Sequence, residues 1–246
     1  MQPFSILLGM GSLAGLLLAG WRAPKKEAIR YVDAAVFAMF VTLVSSRAGF
    51  VAVNWGYFAS HLGESVLVWE GGLSGIGALV GGALAVVILA ALWKLPVGLF
   101  ADVLLPLAGS ITITSWLGCW MGTCAYGLPS NAWWAVPARD EWGVLATRVP
   151  VQLVGATSTL LLIWLMDWAG RRVQLQGLSA SLGLFSISAI IFNLSYLRAD
   201  PMPIWLGLRL EAWGAAGLMA LSAIIVVVLL VRWKLSPPTM PSRSAT

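Results

Sequence analysis

Long apolar runs dominate the chain, and short polar connections separate them. Each run is close to the roughly 20 residues that a helix needs to cross a bilayer. Apolar and polar positions do not alternate within the runs, which argues against membrane-spanning strands. The pattern therefore predicts seven transmembrane helices, over residues 4–20, 34–53, 73–93, 97–117, 151–166, 178–197 and 213–231.

Composition supports this interpretation, because 59% of the 246 residues are hydrophobic and only 10% are charged. A soluble domain carries about 25% charged residues. We therefore expect an all-α integral membrane protein with one membrane domain over residues 1–235. The remaining tail, residues 236–246, is rich in Pro and Ser without apolar periodicity, which predicts a disordered cytoplasmic segment.

Lysine and arginine are concentrated in alternate connections. Since positively charged connections stay in the cytoplasm, the N-terminus is predicted outside and the C-terminus inside. The net charge of +5 then belongs to one membrane surface, where it attracts anionic membrane lipids, and does not indicate nucleic-acid binding. The basic residues after the first, third, fifth and seventh spans are Arg22, Lys25, Lys26, Arg30, Lys94, Arg171, Arg172, Arg232, Lys234 and Arg243.

Ionisable residues within or beside a span are costly in hydrocarbon, so each is a candidate for function. For Arg47, late in the second span, we expect an ion pair inside the bundle. Asp102 is expected to be a helix-end group near the cytoplasmic face, and Asp167 an interfacial residue balanced by the two arginines that follow it. Glu70 precedes the third span, where a carboxylate stabilises a helix N-terminus.

A glycine-rich stretch opens the third span and has two interpretations. Gly71 with Gly75 and Gly77 with Gly81 form small-xxx-small pairs, which allow membrane helices to pack closely. Alternatively, Gly71 and Gly72 break the helix start and line a polar cavity. Position along the chain does not separate the two.

Metal, triad and disulfide chemistry have little support in the sequence. His61 is the only histidine, and two cysteines alone cannot complete a four-ligand zinc site. The chain has no G-x-S-x-G motif and His61 falls in a connection between spans, which argues against a Ser-His-Asp triad. Cys119 and Cys124 are five positions apart and would lie on different faces of a continuous helix. We therefore predict free thiols, or a cysteine that lines a groove, and no metal or other cofactor.

Five short motifs follow one another along the chain, and their order is informative. They are RAGFVAVNWGYF, which begins at Arg47, then VWEGGLSGIGALVGG, WLGCWMGTCAYGLP, RVPVQL and YLRAD. Together they resemble the prolipoprotein diacylglyceryl transferase family, bacterial inner-membrane enzymes with seven spans and an external N-terminus.

The resemblance implies a reaction and a set of site residues. The expected reaction transfers a diacylglyceryl group from phosphatidylglycerol to the lipobox cysteine of a prolipoprotein, in the bacterial cytoplasmic membrane and without a cofactor. Arg198 and Arg148 are the expected catalytic cations, and Glu70 is a candidate base for the thiol proton. The expected substrate-binding residues are Arg47, Asn54, Gly71, Gly72, Ser74, Gly118, Cys119 and Gln152.

Three positions depart from the pattern that the resemblance implies. Ile76 stands where the family has its active-site histidine, Trp116 where it has the arginine of its signature segment, and Val149 where it has a further histidine. These departures favour an alternative, a non-catalytic relative that serves as a structural or lipid-binding subunit with a membrane-protein partner. A transporter with broken midplane helices ranks behind both, because the two halves share no such pair.

Overall fold

The computed structural model describes residues 3–235, apart from the side chain of Glu70. Seven helices in this range are long and apolar enough to cross a membrane, which confirms the predicted all-α membrane fold. The tail predicted to be disordered, residues 236–246, lies outside the described residues. The helices are α1 (Pro3–Arg22), α2 (Ala28–Val53), the single-turn α3 (Trp55–Phe58), α4 (Gly75–Leu92), α5 (Val97–Gly122), α6 (Val151–Val173), α7 (Leu178–Ser195) and α8 (Leu210–Leu235).

Several helices extend beyond the apolar runs that predicted them. Helix α2 begins at Ala28, six residues before the predicted span, and includes Arg30 and Asp33. Arg30 donates to the carboxylate of Glu27 and to the carbonyl of Trp93, so its charge stays at the helix end while the backbone remains helical. Charged residues thus belong to the helices although they lie outside the hydrophobic windows.

Neighbouring helices run in opposite directions and divide the connections between two faces. Residues 23–27, 93–96 and 174–177 form one face, here called the basic face. Residues 54–74, 123–150 and 196–209 form the opposite one, here called the loop face. Helices α1 and α5 illustrate the antiparallel packing, because a Cβ on Gly118 would lie 2.7 Å from the Phe4 ring and one on Gly15 the same distance from the Leu107 Cα.

Two apolar clusters fill the bundle. The first joins α1, α2, α4 and α5, and its largest fully buried side chains are Tyr31 and Phe100, whose ring centroids lie 6.0 Å apart. The second lies between α5, α6 and α7, towards the loop face. Its buried members are Trp116, Ala125, Val149, Val151, Ala156, Ile190 and Leu194.

The acidic residues near the basic face have structural partners. Asp102 accepts hydrogen bonds from the backbone N–H groups of Gly177 (2.7 Å) and Ala180 (2.8 Å), so it caps the start of α7. Asp167 is buried and pairs with Arg171, one of the two arginines that follow it, as predicted, and also with Arg22. These contacts bind α1, α5, α6 and α7 together at one end of the bundle.

Short extended segments build the loop face. Strand β1 (Val136–Arg139) pairs antiparallel with β2 (Leu145–Arg148), and β3 (Ile204–Trp205) pairs with β4 (Leu208–Arg209). Leu128 connects the two regions, since its N–H donates to Leu197 O (2.9 Å) and its carbonyl accepts from Val149 N (3.0 Å). The connection between α5 and α6 is therefore tied to the one between α7 and α8.

Candidate functional site

Arg47 organises the connection between α3 and α4 through backbone carbonyls. Its Nε donates to Ser65 O (2.9 Å) and its Nη2 to Glu64 O (2.6 Å). Nη1 donates to both Gly71 O (2.6 Å) and Gly72 O (3.1 Å). The side chain is buried, and among the described side chains it forms no ion pair. The expectation of an ion pair inside the bundle is therefore wrong for the described part of the chain, because carbonyl dipoles solvate this cation instead.

A small cavity of about 180 Å³ lies beside this guanidinium. The guanidinium carbon lies 5.6 Å from the ring centroid of Phe50 and 5.3 Å from that of Phe58, within the range of cation–π attraction. Drug-sized ligands occupy pockets of at least about 300 Å³, so this cavity suits an anion of headgroup size. Its lining residues are Arg47, Phe50, Phe58, Glu64, Gly71 and Gly72.

Glycine is required where the chain passes this cavity. Gly71 and Gly72 have φ values of 96° and 71°, a region that side chains rarely adopt. A Cβ on Gly72 would also lie 2.5 Å from the Phe50 ring and 2.8 Å from the Arg47 Nη1. The broken-helix interpretation holds for these two glycines, whereas Gly77 packs within α4 against α2.

Ser74 caps α4. The Ser74 hydroxyl accepts from Gly77 N at 3.1 Å, and α4 begins at the next residue. Ser74 also exchanges two hydrogen bonds with Ser46 of α2, one of 3.0 Å from its N–H and one of 2.9 Å to its carbonyl. Glu70 ends a short 3₁₀ turn four residues earlier, and its side chain lies outside the described part of the structure.

Cys119 and Cys124 form a disulfide, which corrects the prediction of free thiols. The prediction assumed a continuous helix, but α5 ends at Gly122. Thr123 adopts a left-handed conformation with φ of 59° and turns the chain back, so that the two cysteine Cα atoms lie 4.6 Å apart. The end of α5 on the loop face is thereby closed covalently.

Three further expected site residues make local structural contacts. Gln152, which is buried, donates from Nε2 to Cys124 O at 2.9 Å and so ties α6 to the disulfide turn. Gly118 is the point of close contact between α5 and the first turn of α1. Asn54 donates to Phe50 O at 2.9 Å and ends α2.

Arg148 lies at the end of β2 and is buried against the loop face. Its Nη2 pairs with the Asp140 carboxylate at 3.0 Å, and its guanidinium carbon lies 5.0 Å from the Tyr126 ring centroid. The Arg148 Nε has no hydrogen-bond partner. Burial, reinforced by the charges of Glu141, Asp140 and Asp200, raises the pKa of Tyr126 despite the opposing charge of Arg148. The Tyr126 hydroxyl therefore keeps its proton.

Arg198 is bound by two carboxylates. Its Nε and Nη2 donate to the Asp200 carboxylate at 2.8 and 2.5 Å, and its Nη1 donates to Glu211 at 2.8 Å. Burial alone would lower the pKa of Arg198, but the hydrogen bonds and charges of Asp200 and Glu211 outweigh it and raise the pKa. Arg198 stays a cation, with three of its five N–H groups engaged.

Arg209 closes the same network from the other side. Its Nε donates to Glu211 at 3.0 Å, its Nη1 to Asp200 O at 2.8 Å, and its Nη2 lies 3.2 Å from the Asp200 carboxylate. The four side chains are each at most 15% exposed. Two cations and two anions leave no net charge in this buried network.

The structure brings Arg148 and Arg198 to the two sides of one segment. Gly127 forms a β-bridge with Arg198, and the Gly127 carbonyl accepts a long hydrogen bond of 3.4 Å from Arg148. The Arg47 cavity belongs to a separate part of the loop face, at the α2–α4 contact. Helices α4 and α8 touch where Ile76 packs on Gly214, one turn after Glu211.

Trp116 and Val149 occupy the second apolar cluster together. Trp116 packs on α6, where a Cβ on Gly155 would lie 2.5 Å from the indole. The two positions for which the resemblance implies an arginine and a histidine are thus parts of one apolar contact.

Several residues of the candidate site gave little signal in the sequence. Phe50 and Phe58 had no signal beyond being aromatic, and their role depends on where Arg47 points. The network of Asp200, Arg209 and Glu211 had a faint signal, because charges of both signs crowd a short connection beside a span. Among residues 3–235, no group of three or more His, Cys, Asp or Glu side chains could hold a metal ion.

The fold and site define a multi-pass membrane protein whose loop face holds buried arginines above an apolar bundle. The family model of prolipoprotein diacylglyceryl transferase matches residues 1–233, and the chain belongs to this family.

Similar proteins carry the name phosphatidylglycerol–prolipoprotein diacylglyceryl transferase. The one from Bacillus licheniformis is 31% identical over 119 residues, which is 48% of this chain and 43% of that protein. The one from Thermosynechococcus vestitus is 24% identical over 86% of both chains. The one from Streptomyces griseus is 29% identical over 92% of this chain and 71% of its own length. The match to the Bacillus protein thus spans less than half of that relative.

Proposed function

We propose that this protein transfers the diacylglyceryl group of phosphatidylglycerol to the lipobox cysteine of prolipoproteins. The family model over residues 1–233 supports this reaction. The structural observation that carries it is the buried Arg47 guanidinium, which has no carboxylate partner among the described side chains and lines a cavity of headgroup size. The proposal places the protein in the bacterial cytoplasmic membrane with the loop face and the N-terminus outside.

The reaction requires a cation and removal of one proton. The cysteine sulfur forms a bond to the glyceryl carbon, the bond from that carbon to the phosphate oxygen breaks, and its electron pair leaves with glycerol phosphate. Arginine stabilises such a leaving phosphate by charge-assisted hydrogen bonds without a metal. The thiol proton must be lost, since the thiolate is the nucleophile.

Arg47 is suited to bind the phosphate. Four hydrogen bonds to carbonyls fix its orientation and occupy four of its five N–H groups, leaving one for a ligand. Because carbonyls do not neutralise it and no described carboxylate pairs with it, its positive charge is available to an incoming anion. In this proposal Gly71, Gly72 and Ser74 shape the cavity, and Asn54 ends α2 beside it.

Arg148 and Arg198 stabilise the charge that develops on the leaving group. Each retains free N–H groups, although each also pairs with a carboxylate. In this proposal Gly118, Cys119 and Gln152 do not contact the substrate. They hold the backbone at the end of α5 in place.

The proton acceptor is not a histidine in this proposal. His61 is exposed and stacks on the Tyr57 ring at 4.3 Å. Either Glu70 accepts the proton, or the neighbouring arginines lower the pKa of the incoming thiol enough for water to accept it. Glu70→Gln separates the two routes, because full activity in this variant excludes Glu70 as the base.

The test uses the purified protein in phosphatidylglycerol nanodiscs with a lipobox peptide, and measures release of glycerol phosphate. We expect release by the wild type, a loss of at least about tenfold in Arg47→Ala and Arg198→Ala, and full activity in the control Arg139→Ala, an exposed arginine of the same face. Lipid that co-purifies without any release would instead support the non-catalytic, lipid-binding alternative.

A further inference from the structure

Arg209 makes no contact that the proposed reaction uses, yet it is largely buried and has charged partners. It is the last residue of the β3–β4 hairpin and directly precedes α8. Within residues 3–235, its side chain contacts Asp200 and Glu211, the two residues that also hold Arg198. The two arginines thus share both of their acidic partners.

The backbone around Arg209 is fixed independently of its side chain. Arg209 pairs with Ile204 in the hairpin, and Leu210 N donates to Pro203 O at 2.9 Å. The Trp213 indole donates to Trp205 O at 2.9 Å, which ties the hairpin to the first turn of α8. Shortening the Arg209 side chain therefore leaves its backbone supports in place.

The charge balance shows what Arg209 contributes. Without Arg209, one cation would face two carboxylates, and the Glu211 Oε1 and the Asp200 carbonyl would lose donors. Buried carboxylates deprived of a partner turn towards the remaining cation or towards water. Either movement changes the direction in which the free N–H groups of Arg198 point.

We propose that Arg209 is a positioning residue for Arg198, acting through Asp200 and Glu211. The inference rests on the proposed function, in which Arg198 stabilises the leaving phosphate. Arg209 itself does not touch the substrate. Its effect on catalysis therefore exists only while Arg198 is present.

A double-mutant cycle tests this dependence. The variants are Arg209→Ala, Arg198→Ala and the double variant, with Arg209→Lys as the conservative change and Arg139→Ala as the control. Both kcat and KM for phosphatidylglycerol are measured in nanodiscs, with the melting temperature of each variant in parallel.

We expect Arg209→Ala to lower kcat by about ten- to a hundredfold with little change in KM, since a small misplacement of a catalytic group has effects of this size. Arg209→Lys should recover part of the loss, because an ammonium retains one of the ion pairs. In the Arg198→Ala background, Arg209→Ala should have no further effect on kcat.

If the losses of kcat in the two single variants multiply in the double variant, the two residues act independently. That result would overturn the inference while leaving the proposed function in place. A fall in kcat that only follows the melting temperature, without rescue by lysine, would overturn it as well. If the wild type releases no glycerol phosphate, the proposed function fails, and the same cycle is measured as phosphatidylglycerol affinity. Coupling between Arg198 and Arg209 in that affinity would support positioning, and its absence would overturn it.

Discussion

Ile76 of α4 packs directly on Gly214 of α8, so closely that a Cβ on Gly214 would lie 2.5 Å from the Ile76 Cγ2. Glu211, a member of the Arg198 network, lies one turn earlier on α8. The position for which the resemblance implies a histidine is thus a helix-packing contact. It joins the helix that begins beside the Arg47 cavity to the helix that begins beside the Arg198 network.

This contact predicts that Gly214→Ala destabilises the protein. An added methyl group must displace the β-branched Ile76 side chain, which typically costs about 1–3 kcal/mol. We expect a lower melting temperature in detergent and recovery in the double variant Gly214→Ala, Ile76→Ala. Gly217→Ala, on the same helix with open space around it, is the control. Equal melting temperatures for Gly214→Ala and the wild type would contradict this packing.

The Arg47 cavity predicts that alanine substitution has different effects on stability and lipid affinity at two nearby glycines. Gly72→Ala combines a strained positive φ with contacts to Phe50 and Arg47, and we expect a loss of about 1–3 kcal/mol together with much of the phosphatidylglycerol affinity. Gly75→Ala meets nothing within 4 Å and should leave both unchanged. Thermal unfolding and lipid titration of the two variants check this. A Gly75→Ala variant as impaired as Gly72→Ala would refute the assignment.

The burial of Trp116 predicts that replacing it with arginine does not increase transfer activity. Trp116 is 7% exposed within an apolar cluster, so Trp116→Arg would bury an unpaired charge at a cost of several kcal/mol. We expect low yield, a lower melting temperature and no gain in transfer. Trp133→Arg, at a position 95% exposed, should be tolerated. Higher activity in Trp116→Arg would show that this position faces the substrate.

The disulfide predicts the thiol reactivity of the purified protein. Since Cys119 and Cys124 are the only cysteines of the chain, a maleimide reagent should label the unfolded protein only after reduction. Cys119→Ser frees one thiol and should label without a reductant. Labelling of the unreduced wild type, read as a mass increase, would contradict the paired state.

The sequence predicted the helical framework well, because apolar length alone is decisive in a bilayer. The ends of the helices were less predictable. Helix α2 continues through Arg30 and Asp33, which a hydropathy window excludes although they sit at its polar end. Helix α5 stops at Gly122 because Thr123 takes a left-handed conformation, and a threonine gives no signal of that.

The candidate site residues were chosen from the resemblance, but the contacts that hold them could not be predicted. The resemblance selected Arg47 and Arg198, and the structure places both side chains at the loop face. Their opposite electrostatic settings, carbonyls around Arg47 and carboxylates around Arg198, depend on contacts between segments distant in sequence. Pattern and spacing along one chain carry little information about such contacts.

The central claim, a diacylglyceryl transferase that works without a histidine at its site, is tested most directly by the mass of a lipobox peptide. The peptide is incubated with the purified protein and phosphatidylglycerol of a single acyl composition, beside a peptide with serine in place of the cysteine and beside the Arg47→Ala protein. We expect the cysteine peptide alone to gain the mass of one diacylglyceryl group, and to gain it far more slowly with Arg47→Ala. An unmodified cysteine peptide, with phosphatidylglycerol bound to the wild type, would contradict the claim.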